Sequence, residues 1–314
     1  MTTHFKLAPL EFPGDLHPTA ARVELGLTLY LDDPGHWARD AAPRLAATLI
    51  EYAPAGALKW FTTSTSGTWR RVGDAEGLRQ VHEGFATQGH RLGTHLRHGF
   101  YFQLADDPGA PSSGFFYREI DPSRTDRVSV LELTLPIDSD PGLLFQLAME
   151  ASALGPFWSG VGGYALRSNW QTRRVAMTHA YKWCGRWWGI DIQDPDEMAW
   201  FARAGLPGTG WLTLVGAPLV ARLEIAPEQL QGWPEGIIAL PRPHGTLIRA
   251  GEAPTEGDLN RFAFPEAYAA VARRLAPFFV PEPPELWGLF GGREQTAVWM
   301  RRLVDPEAWG AREA

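Results

Sequence analysis

The chain has 314 residues, 45% of them hydrophobic and 21% charged, a balance that excludes extended disorder. The length allows one large domain or two small ones, with a core that needs no covalent staples. The net charge of −7 argues against a general nucleic-acid binder, and a single cysteine, Cys184, excludes an intramolecular disulfide and a cysteine-built zinc site.

The opening MTTHFKLAPLEFPGD lacks the apolar core of a signal peptide, and no apolar run is long enough for a bilayer. A cytoplasmic chain without a membrane segment is expected. Residues 22–31 (RVELGLTLYL) alternate and predict a strand with one buried face. Asp33-Pro34-Gly35 then starts a helix to about Tyr52, with Pro43 as a kink. Leu58 to Phe61 and Thr68 to Val72 read as a strand pair around Ser66-Gly67. Residues 76–88 read as a helix, and 95–104 and 114–120 as strands flanking a Pro/Gly/Ser loop.

The opening order then recurs. Residues 127–137 (RVSVLELTLPI) predict a second alternating strand, and Asp140-Pro141-Gly142 a second helix to about Leu154. Tyr164 to Arg167 and Thr172 to Val175 stand where a second strand pair would. This suggests a degenerate strand–helix–strand repeat, with units at about 20–120 and 125–225 and a C-terminal extension over 226–314. Downstream, Asp194-Pro195 caps a helix to about Ala204, and 210–215, 236–240 and 246–250 read as strands. Helices follow over 265–276 and 293–303. No composition shift cuts the chain, so one compact α+β domain over 1–314 is expected, with antiparallel or mixed sheets and packed helices.

Chemistry is harder to find. Gly160-Val161-Gly162-Gly163-Tyr164-Ala165 matches the dinucleotide-loop pattern, but no acid for a ribose stands about 20 residues on, so a glycine-rich turn is the better reading. No Gly-x-Ser-x-Gly elbow, Walker loop or His-Glu-x-x-His occurs. His82, His90, His95 and His98 cluster in sequence, but on a strand His95 and His98 would face opposite ways. Cys184 lies near His179 and among Trp183, Trp187 and Trp188, where a small core residue fits best. Asp138-x-Asp140 and Asp194-x-Asp196 could hold a divalent cation, yet both sit at helix starts, where capping explains them. No catalytic residue, metal ligand or cofactor is assigned. Glu252, Glu256 and Asp258 share one Pro/Gly-rich loop and would make a compact negative surface for a basic partner. The 14 tryptophans offer anchors for an interface as well as for a core.

From Trp187 to Phe279 the sequence becomes distinctive. Trp188-Gly189-Ile190-Asp191, the strand Gly210-Trp211-Leu212-Thr213 and the loop Gly251 to Asn260 resemble the type VI immunity protein family, formerly a domain of unknown function. The upstream strand, the Asp-Pro-Gly helix start and the segment at Gly163 fit the same family, so the resemblance spans about 20–280. It implies a bacterial antitoxin that neutralises, by stoichiometric occlusion, a toxin delivered by a type VI secretion system and encoded by an adjacent gene. It brings no catalytic residues, and it leaves the oligomeric state open. The toxin-binding residues expected on this reading are Glu252, Glu256 and Asp258, bridging toxin Lys and Arg, with Trp187 and Trp188 at the centre. Three other readings stay open: an enzyme of unassigned reaction, with His179, Asp191 and Cys184 in a pocket; a glycan or small-ligand binder using Trp69, Trp170 and Trp187; and a structural or assembly role within the secretion cluster.

Overall fold

A computed structural model describes residues 7–11, 19–64, 66–93, 100–120, 126–168, 173–192, 194–286 and 292–310. Among them one eleven-stranded sheet forms the frame, and every strand pairing in it is antiparallel. After the short β1 (Leu10–Glu11), strand β2 (Thr19–Leu31) lies at the centre. It was expected to bury one face; it buries both, because helices cover the sheet on either side. A strand in that position loses the polar alternation of a half-exposed strand.

Asp33 opens the next element, its carboxylate accepting from the His36 N–H at 3.1 Å. The helix is not continuous. It runs as α1 (Pro34–His36), a π turn (Trp37–Ala41) and α2 (Ala42–Tyr52). The wider turn just before Pro43 relieves a residue that cannot donate to the ladder. Strands β3 (Trp60–Thr63) and β4 (Arg70–Arg71) form the expected pair at one sheet edge. Helix α3 (Ala75–Gly93) follows, and β5 (Tyr101–Ala105) and β6 (Gly114–Arg118) lead back to β7 (Ser129–Leu135), which pairs with β2. Phe85 of α3 stacks on Phe102 of β5 at 4.2 Å between ring centroids.

Helix α4 (Pro141–Leu154) begins where the Asp-Pro-Gly signal placed it. Asp140 accepts from the Gly142 N–H at 2.9 Å, and Pro141 sits in the first turn, where its missing donor costs nothing. β8 (Phe157–Ser168) then crosses to the other side of β2. The Gly160–Ala165 stretch, read as a turn, lies inside this strand. A methyl on Gly160 would meet the Leu29 side chain and the Thr28 carbonyl, and Gly163 holds φ at +146° beside Trp211. These glycines serve close strand packing, and no loop-to-helix cradle exists for a pyrophosphate. Thr172 lies outside the described residues, and Arg173 begins helix α5 (Arg173–Cys184) where a strand was expected.

The expected helix from Asp194 is a short α6 (Pro195–Met198) continued by turns. β9 (Leu212–Gly216) pairs with β8, and two short helices that sequence did not indicate follow: α7 (Ala217–Leu223) and α8 (Pro227–Leu230). The hairpin β10 (Ile237–Arg242) and β11 (Gly245–Ala250) closes the second edge. Pro241 lies on that edge strand and lacks a donor for edge-to-edge pairing. Helix α9 (Glu266–Leu275), α10 (Arg293–Met300) and α11 (Pro306–Gly310) complete the chain.

The two sheet faces differ. Tyr117, opposite Leu131 on β7, donates to the Pro34 carbonyl, which puts the leucines of β7 under α1 and α2. The opposite face carries Thr28, Glu132, Thr134 and Arg167. There Arg167 donates to Glu132 at 2.6 Å, Thr134 at 3.0 Å and the Leu133 carbonyl at 3.2 Å. Arg173 of α5 grips Asp194 at 2.7 Å, so one carboxylate anchors α5 and caps α6 together.

Candidate functional site

The loop singled out in sequence is joined to the tryptophan pair by backbone. The Trp188 and Gly189 N–H groups donate to the Gly257 and Glu256 carbonyls, at 3.2 and 2.9 Å, and the Leu259 N–H donates to the Arg186 carbonyl at 3.0 Å. Segments 186–189 and 256–259 therefore run alongside each other, with Trp187 opposite Asp258. The pairing fixes which way each side chain can turn.

Asp258 does not add to a negative surface. It is buried, 3% exposed, and its carboxylate takes a two-pronged bond from Arg186 at 2.7 and 2.6 Å. It also accepts from the Asn260 N–H at 3.1 Å, with Arg261 at 3.5 Å. The Arg186 bonds hold its carboxyl below the usual carboxylate range and raise the guanidinium. Trp188 is buried as well, 4% exposed, with its ring edge-on to Phe264 at 5.6 Å. Neither side chain lies at the surface: Asp258 fastens the loop and Trp188 fills the core beneath it. Glu252 is exposed, and Glu256 is half-buried. Trp187 is half-buried with the Arg186 guanidinium 4.7 Å from its ring centroid, a cation–π pair that leaves part of the indole at the surface.

The same loop carries a residue that sequence reasoning passed over. Phe262 is 97% exposed, far more than the other large apolar residues exposed among the described ones, Val175, Trp200 and Ile238. It sits at φ +56°, at the end of a 3₁₀ turn over Leu259–Arg261. Nothing in Arg261-Phe262-Ala263-Phe264 separates the two phenylalanines by type; Phe264 packs on Trp188 and Phe262 projects outward.

The other sequence candidates lie on several different elements. Asp140 and Asp194 are helix caps, and among the described residues no group of three His, Cys, Asp or Glu could hold a metal ion. His82 bonds the Pro43 carbonyl at 2.8 Å, while His95, His98 and Trp170 lie outside the described residues. Trp69 is half-buried, next to β4 at one sheet edge. Cys184 ends α5, and the Asp191 backbone pairs with Tyr164 and Leu166 of β8. Among the described residues no helix is long and apolar enough to cross a membrane.

The model of the TsiV family, described as type VI immunity for VRR-NUC, matches residues 44–303. Among solved structures the chain is similar to the Pseudomonas aeruginosa T6SS protein PA0821, with a TM-score of 0.76 and 18% identity over 96% of this chain and 90% of that one. At that identity the likeness establishes a shared fold. No curated protein matches.

Proposed function

The chain belongs to the family of type VI immunity proteins for VRR-NUC, and from that premise we propose that it neutralises a nuclease toxin of the VRR-NUC class by binding it stoichiometrically, without turnover. The observation that carries this reading is the family match across residues 44–303, which takes in most of the sheet and the whole of the 251–262 loop. The toxin is a product of an adjacent gene, met in the cytoplasm, where a nuclease would reach its substrate.

Charge supports the choice of partner. A nuclease must carry basic groups on the face that holds phosphates. A chain of net charge −7 is attracted to that face, which speeds encounter and favours occlusion of the cleavage site. On this reading Glu252, Glu256 and Trp187 contribute to the toxin-binding surface. Asp258 and Trp188 support it from below.

The test is titration of the purified toxin with this protein while DNA cleavage is followed. Cleavage should fall linearly and end at one equivalent. Cleavage that persists at tenfold excess contradicts the proposal, and inhibition by catalytic amounts of this protein would favour an enzyme instead.

A further inference from the structure

We propose that Phe262 is the anchor of the toxin interface: a preset aromatic knob that seats in an apolar socket on the nuclease, beside the basic surface that meets Glu252 and Glu256. The inference rests on the immunity reading and adds to it a contact residue and the shape of the partner site.

Three observations converge on this side chain. The first is exposure. A phenylalanine 97% exposed leaves nearly all of a large apolar side chain in water. The second is backbone conformation. Phe262 holds φ at +56°, a region that a bulky L-residue enters at a cost and that glycine or asparagine enters freely. A residue that is costly in both respects for the free protein is paid for elsewhere, and strained positions gather at binding sites. The third is the mounting. The Ala263 N–H returns to the Asp258 carbonyl at 3.0 Å and the Phe262 N–H to the Leu259 carbonyl at 3.0 Å. Pro265 packs against Gly257, so residues 258–264 make a closed excursion with Phe262 near its apex. Asp258, held by Arg186, pins the base of that excursion, and Phe264 on Trp188 fills the core under it.

The backbone that carries the knob is thus fixed before any partner arrives. A phenylalanine has two side-chain torsions, so on a fixed backbone it loses little conformational freedom on binding, which is how a small contact becomes dominant. The charges favour a protein socket over nucleic acid. Arg261, next to Phe262, stands 3.5 Å from the Asp258 carboxylate, while Glu252 and Glu256 on the same loop and Glu266, four residues after Phe262, would repel a phosphate backbone. The same acids complement the basic rim of a nuclease.

The experiment compares the wild-type protein with Phe262→Gly and Phe262→Asn, reading three quantities: melting temperature, dissociation rate from the toxin, and inhibition of DNA cleavage. Both variants suit the left-handed backbone, so each should melt at or above the wild-type temperature. Both should bind roughly 30-fold or more weakly, the loss typical of a dominant interface residue, with most of the change in dissociation. If the wild-type protein inhibits and both variants match it within twofold, the anchor is overturned while the immunity reading stands. If the wild-type protein does not bind the toxin, the immunity reading fails first and the anchor with it. Single-stranded DNA binding by the wild-type protein that both variants lose would make Phe262 a base-stacking platform and also overturn the proposal.

Discussion

Asp258 shows how a single residue changes meaning between sequence and structure. In sequence it is the third acid of an acidic loop. In the fold, Arg186 takes that charge inward and holds the loop shut. Its partner is far away in the chain, and no local pattern announces the pair. Glu24 is a second buried acid, and here the consequence is a pH dependence. It is 6% exposed on the central strand, and burial lifts its pKa to about 8. The Ile137 N–H, donating at 2.6 Å, and Arg22, at 3.9 Å, only partly oppose that. The folded chain therefore keeps a proton that the unfolded chain releases near its ordinary value of 4.5. Unfolding in that window releases a proton, so the stability tied to Glu24 is full below pH 4.5 and is lost as the pH rises through about 8. Glu24→Gln should match the wild-type melting temperature near pH 5 and exceed it by several degrees at pH 8, a difference of roughly 1–3 kcal/mol. Parallel melting curves for the two proteins across that range would contradict the assignment.

Elements were legible where their signals are local. The Asp-Pro-Gly helix starts at 33 and 140, the β10–β11 hairpin and helix α9 all lie where capping and periodicity put them. The failures occurred where tertiary packing decides. Gly160 to Ala165 looks like a turn because glycine favours turns, but its glycines let β8 lie tightly between β2 and β9. This gives a prediction opposite to strand propensity. Gly160→Val adds a residue that favours strands, and by propensity alone it would stabilise β8. Packing against Leu29 and the Thr28 carbonyl leaves no room for it, so the variant should lose roughly 1–3 kcal/mol and melt several degrees lower. A melting temperature at or above wild type would show that the strand has slack the structure does not contain. Helix α5 escaped notice for a related reason: its first residues, with two adjacent arginines, resemble a strand end as much as a helix start.

At the scale of the molecule, the α+β class was readable and the strand order was not. β2 pairs with β7 and β8, strands about a hundred residues or more downstream, and nothing in its own sequence selects those partners. The proposed binding surface divides in the same way. Glu252, Glu256 and Trp187 could be nominated from residue type, whereas Phe262 needed coordinates, because exposure and a left-handed backbone are invisible in the letters RFAF. The family match then turns a sheet with an acidic, aromatic-tipped loop into an immunity protein. That conclusion is tested most directly in cells. The protein is co-expressed with the VRR-NUC toxin proposed as its partner, survival is scored, and the pair is passed over a size-exclusion column. The account predicts survival and a stable complex of fixed stoichiometry. Death of the cells, with the two proteins eluting apart, would contradict it.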